Sequence, residues 1–520
     1  MSSLPVLVVS NDFFPGGGAL NGRRWAGKQL LESWAKASAE DPMVLGHTKP
    51  KELEQLLPIL RNAGLKGPLH GLGLLDPKQF CKWGGLFLPD PSIGRWAQWR
   101  LQTTAASFSL IGQIHTLSTP AALSHLQDLV SEPVEPWDAV ICSSTAGRSV
   151  VQAVMNDRQE QLLRRFGGSL EKALSKRPKL PVIPLPLPVG LMQEKLPDKL
   201  QARKELGLPR DAAVVLWLGR LSLFTKFDPW CTYAALQNVA LKIDKPLYLI
   251  ECGPDDTPQQ VESFKSLRKL CPKVNFIRLG GANPVQEEIK YQALAASDIG
   301  ISLVDNPQET FGLAVAEAMA AGIPIIASNW DGYRDLVRNG VDGFLIPTRW
   351  ASSAENVSIS MGWQQLTGIS TFPAIAGCLA QLVQIDRAAA EMALITLFTD
   401  SSLLRAMGKS AKERAVNKFD NLKVLKKYSN LFMELNELRK SAPNESNKKL
   451  SPSIQIDPHR AFSCFSSDPS ITSEPVSRDQ LLSLPKPIYE GRQQLWELIL
   501  QSAQEKDHSN LMGDFLKKHK

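Results

Sequence analysis

Short apolar runs alternate along the chain with longer amphipathic stretches, and this alternation predicts parallel sheets covered by helices. In the first half the runs "PVLVVS" (5–10), "FSLIGQIHT" (108–116) and "DAVICSS" (138–144) read as buried strands. In the second half "VVLWLG" (214–219), "PLYLIECG" (246–253), "VNFIRLGG" (274–281), "DIGISLV" (298–304), "IPIIAS" (323–328) and "DGFLIPT" (342–348) do the same. Between the two series lies "KRPKLPVIPLPLPVG" (176–190), whose prolines forbid a helix and leave few backbone donors. Its end is the expected interdomain linker. After residue 440 the chain turns to Ser, Pro, Asn and charge, "KSAPNESNKKLSPSIQ", the composition of a linker or disorder. A last amphipathic stretch, "RQQLWELILQSAQEK", has the pattern of a docking helix.

Length and composition narrow the setting. A chain of 520 residues is too long for one core and fits two ordinary domains with extra segments. No stretch of 18 residues is continuously apolar, so no membrane span is expected. The start, "MSSLPVLVVSNDFF", lacks a basic leader and reads as a first strand rather than a signal peptide, which makes cytoplasmic the expected location. Cysteines at 81, 142, 231, 252, 271, 378 and 464 form no C-x-x-C pair and no metal-spaced cluster; reduced, mostly buried thiols are expected. A net charge of +7 is mild for this size and does not argue for nucleic acid, while leaving room for bound anions.

The chemistry concentrates in "ETFGLAVAEAMAAG" (309–322), where two glutamates stand eight positions apart. The segment follows a strand and a loop, and "FGLAVAEAMAAG" has helical composition and a glycine stop. Glu309 then falls at the helix entrance and Glu317 inside it, both at the carboxyl edge of a parallel sheet, where open α/β folds bind ligands. The amides of Phe311, Gly312 and Leu313 would form an anion site at the helix N-terminus. The plainer alternative makes Glu309 a helix-start acid favoured by the macrodipole and Glu317 a solvated helix residue. Upstream, "LWLGRLSLFTKFDPW" ends a strand with Gly219 and Arg220, and Lys226 follows in a loop. Near an exposed helix N-terminus these two cations fit a diphosphate clamp; seen singly, each reads as a solvated surface cation.

Together these elements resemble the retaining family-4 (group 1) glycosyltransferases of GT-B architecture, in their nucleotide-sugar-binding half. The resembling stretch runs from about Val214 to Thr348, through "GRLSLFTK", "LYLIECGPDD", "VNFIRLGG" and "ALAASDIGISLVDNPQETFGLAVAEAMAAGIPIIASNWDGYRDLVRNGVDGFLIPT". "TDSSLLRAMGKSAKERAVNKFDNLKVLKKYSNLFMEL" is similar to the family's closing helices. In the first half "FFPGGGALNGRRW" looks like its glycine-rich first loop, "GQIHTLS" like its active-site histidine strand end, and "VICSST" with "VIPLPLPVG" like its other markers. The resemblance implies an α/β fold of two Rossmann-like domains facing a central cleft. It divides the chain into an acceptor-side domain at 1–190, a nucleotide-sugar-binding domain at 191–425 and a crossing helix at 426–440; outside the resemblance, composition and pattern give a linker at 441–480 and a helical tail at 481–520.

Residue by residue, the resemblance gives Arg220 and Lys226 the donor diphosphate, Glu317 the ribose hydroxyls and Glu309 the hydroxyls of the transferred sugar. The amides of Gly312 and Leu313 would meet phosphate, and the backbone at Leu279 and Gly280 the base. His115 would lie over the sugar, and Gly17 and Gly18 would let the first loop approach the reaction centre. A histidine at a strand end is otherwise a satisfied, partly buried group. The chemistry implied is transfer with retention of anomeric configuration, in glycan, glycolipid or glycoside biosynthesis. Negative charge develops on the leaving phosphate, where cations and helix amides stabilise it. The glutamates then serve as charge-assisted acceptors rather than as a glycosidase pair. The nucleotide sugar is a co-substrate, and no cofactor or metal is expected because the basic clamp can replace a divalent ion.

Departures are Phe227, where the family usually has glycine, the lengthened segment 349–372 and the tail. A nicotinamide dehydrogenase is disfavoured, since "GGGALN" lacks the third glycine and no acidic ribose reader follows. A sugar-nucleotide epimerase, a phosphorylase and a catalytically silent carbohydrate- or nucleotide-binding scaffold share the architecture; the full set of clamp and glutamate positions speaks against the scaffold. The acceptor stays open among a saccharide, a lipid-linked sugar and a small metabolite. "RRFGGSLEKALSKRPK" (164–179), with six cations and one Glu, reads as a solvated helix face or as a peripheral contact with anionic lipid, to which Phe166, Leu170 and Leu174 would add apolar anchors.

Overall fold

A computed structural model of the protein describes residues 4–14, 22–169, 174–352, 354–448 and 458–465. Two compact units emerge, Met1–Pro452 and Ser453–Lys520, and both sheets described below belong to the first. Of the second unit the described residues form a short helix, Pro458–Phe462, and a 3-10 turn, Ser463–Phe465. The tail expected as helical at 481–520 lies outside the described residues.

The first sheet contains β1 (Val6–Val8), β2 (Met43–His47), β3 (Leu69–Gly73), β4 (Gly85–Leu88), β5 (Ser109–Gln113) and β6 (Ala139–Ile141), in the order β3-β2-β1-β4-β5-β6. Every pairing in it is parallel. The second contains β7 (Ala213–Leu218), β8 (Leu247–Cys252), β9 (Val274–Leu279), β10 (Ile299–Ser302), β11 (Ile325–Ser328) and β12 (Gly343–Ile346), in the order β12-β11-β10-β7-β8-β9 and again parallel. Counted from its own first strand, each sheet has the doubly wound order 3-2-1-4-5-6, whose reversal point opens a crevice at the carboxyl ends of the strands. The fold is α/β, with two Rossmann-like sheets.

Burial explains why the strands are short apolar runs. β7 and β10 bury Val215, Leu216 and Ile301, and the helix Leu313–Ala320 covers them with Val315, Ala316 and Met319. The helix Asn421–Lys440 packs instead on the first sheet, where Tyr428 stacks on Phe87 at 5.4 Å and Phe432 joins the same core. Beside the first sheet Arg100, at the end of the helix Ile93–Arg100, and Asp138, just before β6, are fully buried and paired by two contacts of 2.7 and 2.9 Å, and Asp138 also accepts from the amides of Leu110 and Glu135.

The proline-rich stretch is more than a connection. Lys179 and Pro181 accept from the amides of Val140 and Cys142, each at 2.9 Å, and Ile183 donates to Cys142, so the stretch lies along the free edge of β6. Proline suits this edge position because few amides have to be satisfied there. Strands β2, β3 and β4 have no counterpart among the expected runs, and the cysteines differ too. Cys142, Cys252 and Cys271 are buried, but Cys81, Cys378 and Cys464 are exposed. The lengthened segment 349–372 holds most of β13 (Thr348–Trp350) and the helix Ala354–Leu366; after it the helix Phe372–Ala380 leads to β14 (Val383–Ile385), which pairs antiparallel with β13.

Candidate active site

The carboxyl ends of β7, β8 and β9 converge through glycines. A Cβ on Gly253 would stand 1.9 Å from the Gly219 carbonyl oxygen, so only glycine lets the two strand ends approach this closely. The amide of Gly253 donates to the Leu279 carbonyl at 3.0 Å, and Arg278 donates to the same carbonyl at 2.7 Å. The Leu279–Gly280 backbone expected at the base is thus part of a rigid rim.

The loop after β7 folds upon itself. Ser222 accepts from the amides of Lys226 and Phe227, each at 3.1 Å, and Phe227 is buried with its ring 3.6 Å from that of Trp217. Phenylalanine in place of glycine therefore anchors this loop by stacking. Arg220 donates to the Thr225 hydroxyl at 2.9 Å and stands 3.6 Å from Asp256, while Lys226 meets Glu309 at 2.8 Å. Both cations are about one-third exposed, as a site open to an anion requires.

Glu309 lies in the loop between β10 and the helix Leu313–Ala320, as its spacing predicts. Burial by itself raises its carboxyl, but the Lys226 ammonium and the amides of Thr310 and Gly312 outweigh burial and hold the group below the usual carboxylate range. Gly312 caps the helix with φ +97°, and a Cβ there would meet the Tyr333 ring at 2.3 Å. No side chain caps this helix end. Around Glu309 stand two groups that the sequence did not single out. The Tyr333 hydroxyl bonds Ser302 at 2.8 Å and faces Glu309, and burial together with the Glu309 charge pushes Asp331, at φ +42°, well above its usual range. The only local signal was the dipeptide Asp331-Gly332 after a strand.

Further back in the same loop, Asn306 bonds the Phe224 carbonyl at 2.8 Å and the Ala376 carbonyl at 3.4 Å. The helix Phe372–Ala380, just after the lengthened segment, thus braces the loops that carry Lys226 and Glu309. Asp305, almost fully buried, accepts from the Asp228 amide at 3.4 Å through one oxygen while the other has no partner; burial pushes it up to about 7.

Glu317 is buried rather than solvated, and its partner is Lys290 at 2.8 Å. His115 follows β5, and its carbonyl accepts from the Thr310 hydroxyl, which joins the carboxyl edges of the two sheets beside Glu309. Burial and the Arg23 guanidinium push the imidazole down to about 4, against Asp12, Asp90 and a bond to the Pro89 carbonyl, so the ring is neutral at pH 7. Lys28 with Glu287 at 3.0 Å and Gln365 with the Ser118 carbonyl at 2.8 Å add further links between the halves. Gly17 and Gly18 lie outside the described residues. In the basic segment Arg164 pairs with Glu160, Lys176 with Glu135 and Lys179 with Glu434, while Arg177 bonds Gln159 and Asn156; Phe166 and Leu174 are exposed, and Leu170 lies outside the described residues. Among the described residues no helix is long and apolar enough to cross a membrane.

Residues 198–360, which carry Arg220, Lys226, Glu309 and Glu317, match the family model for glycosyl transferases group 1. Over these residues the chain is similar to the group 1 glycosyltransferases. Among curated relatives of this chain, the D-inositol 3-phosphate glycosyltransferase of Geodermatophilus obscurus is 26% identical over 304 residues, 54% of this chain and 64% of the relative. Its namesake from Nocardioides sp. is 32% identical over 175 residues, 31% of this chain and 37% of the relative. The matched stretch thus spans less than two-thirds of either relative. Among solved structures, Anabaena Alr3699/HepE in complex with UDP-glucose aligns with a TM-score of 0.47 at 16% identity, covering 84% of this chain and 100% of that one. Sucrose-phosphate synthase from Thermosynechococcus elongatus aligns with a TM-score of 0.46 at 18% identity, covering 84% and 98%.

Proposed function

We propose that the protein transfers a sugar from a nucleoside-diphosphate sugar to an acceptor, with retention at the anomeric carbon. The observation that carries this reading is the Lys226–Glu309 pair at the uncapped N-terminus of the helix Leu313–Ala320. A diphosphate entering there offers Lys226 a second anion and leaves the ionised Glu309 to accept from sugar hydroxyls. Arg220 stands on the same loop, so two cations and the amides at Gly312 and Leu313 would surround the leaving phosphate. A carboxylate held below its usual range is a poor proton donor at pH 7, which favours hydroxyl recognition over general-acid catalysis for Glu309. Neutral His115 beside Thr310 suits hydrogen bonding to the sugar. Acceptor activation falls to the departing phosphate oxygen, and no divalent ion is needed in this scheme. The reading does not include membrane binding by residues 164–179, because four of their five described cations are paired within the chain.

Calorimetric titration with ADP, GDP and UDP tests the donor site. At least one should bind with a micromolar constant and lose affinity tenfold or more in Lys226→Ala and Arg220→Ala. Equal binding by the native protein and both variants would refute the clamp.

A further inference from the structure

Lys290 lies outside the donor motifs, yet it touches the carboxylate proposed to read the ribose. Its Nζ stands 2.8 Å from Glu317 Oε1, and both side chains are largely buried. On its other side the ammonium lies 3.9 Å from the centre of the Trp25 ring, within cation–π range. Glu317 and Lys290 belong to the helices Leu313–Ala320 and Glu287–Ala296 around the second sheet. Trp25 belongs to Gly22–Ser38, the helix whose Leu30 and Trp34 enter the core of the first sheet. A single buried cation therefore connects the donor-side carboxylate to the opposite half. One turn away on each helix, Lys28 bonds Glu287 at 3.0 Å and doubles the connection.

We infer that Lys290 is a positioning residue for nucleotide recognition, which orients the Glu317 carboxylate toward the ribose hydroxyls and, through Trp25, ties that recognition to the first half of the molecule. A carboxylate has about four acceptor positions, so one ammonium occupies one side of it and leaves the other for two hydroxyls. Without Lys290 the buried carboxylate loses its cation and the bond that fixes its rotamer; it then turns to other donors, and this ends its preference for a diol. Arginine can keep the charge and the stacking on the indole, whereas methionine keeps only the bulk.

The inference rests on the nucleotide-binding reading above, and the test separates the two. The tightest of ADP, GDP and UDP is compared with its 2′,3′-dideoxy form by calorimetry in native protein, Lys290→Met, Lys290→Arg and Trp25→Phe. Native protein should prefer the ribonucleotide by tenfold or more. Lys290→Met should bring the ratio within threefold while binding the dideoxy form as the native protein does, which also shows that the variant is folded. Lys290→Arg should restore at least half of the logarithm of the ratio, and Trp25→Phe, which keeps an aromatic face, should retain it. A ratio in Lys290→Met within twofold of native overturns the role of Lys290 and leaves the nucleotide site standing. No nucleotide binding by the native protein overturns both, whereas binding without a ribose preference overturns the inference alone and leaves the nucleotide site standing.

Discussion

Replacing Glu309 by Gln removes one charge from the centre of the proposed site with almost no change of shape. In the structure the carboxylate receives Lys226 at 2.8 Å and the amides of Thr310 and Gly312. The Gln carbonyl can still accept from an amide, and Lys226 is about one-third exposed, so its lost pairing costs at most about 1 kcal/mol of stability. The effect on turnover should be much larger. A hydrogen bond to a charged group contributes about 1.5–3 kcal/mol, and loss of one preorganised contact where charge develops costs about 3–4 kcal/mol. The resulting ~2–4 kcal/mol corresponds to a fall in kcat/KM of roughly 30- to 900-fold. Because Glu309 is held below the usual range, its charge is present at neutral pH and is lost only as pH falls through that lowered value. Native activity should therefore persist down to about pH 5, the usual carboxylate titration lying near ~4.3. Initial rates with the preferred donor, with melting curves recorded in parallel, provide the check. Turnover within threefold of native at an unchanged melting temperature would refute the reasoning.

Three further perturbations test the framework around the site. Asp305→Asn should raise the melting temperature at pH 8 and leave it unchanged at pH 4: with a folded value of about 7, native Asp305 keeps its proton longer than the unfolded chain, so stability falls as pH rises toward 7. The gap from the ordinary ~3.9 corresponds to about 2–4 kcal/mol, readable in urea titrations. Gly312→Ala should destabilise by ~2–4 kcal/mol in the same assay and weaken nucleotide binding, because the added Cβ meets Tyr333 at 2.3 Å in a left-handed backbone. Asp138→Ala, far from the site, should cost about 3–5 kcal/mol by leaving buried Arg100 without its partner.

Much of the second half was legible in the sequence because its strands are uninterrupted apolar runs. "VVLWLG" and "PLYLIECG" sit within one residue of β7 and β8, while the 2.8 Å pair of Lys226 with Glu309 is a contact that their motifs did not announce. In the first half β2 (MVLGH), β3 (LHGLG) and β4 (GLFL) are short and carry glycine or histidine, so periodicity could not separate them from loops. Asp331 and Tyr333 lie more than 20 positions from Glu309 in the sequence, and only the return of the chain after β11 brings them to it. Lys290 was hidden for a similar reason: a lysine in an amphipathic helix reads as solvated until the opposing Trp25 is in place. The edge pairing of residues 179–183 went unread because proline content argues against helix but says nothing about a neighbouring strand edge.

The most direct test of the central claim is release of nucleoside diphosphate from UDP-, GDP- and ADP-linked sugars, followed in the native protein and in Lys226→Ala. The account predicts slow release from at least one donor without acceptor or divalent ion, persisting in EDTA, and a fall of roughly a hundredfold or more in the variant, as expected for loss of ~3 kcal/mol of charge stabilisation. Release from none of the donors, or release equal in the variant, would contradict it.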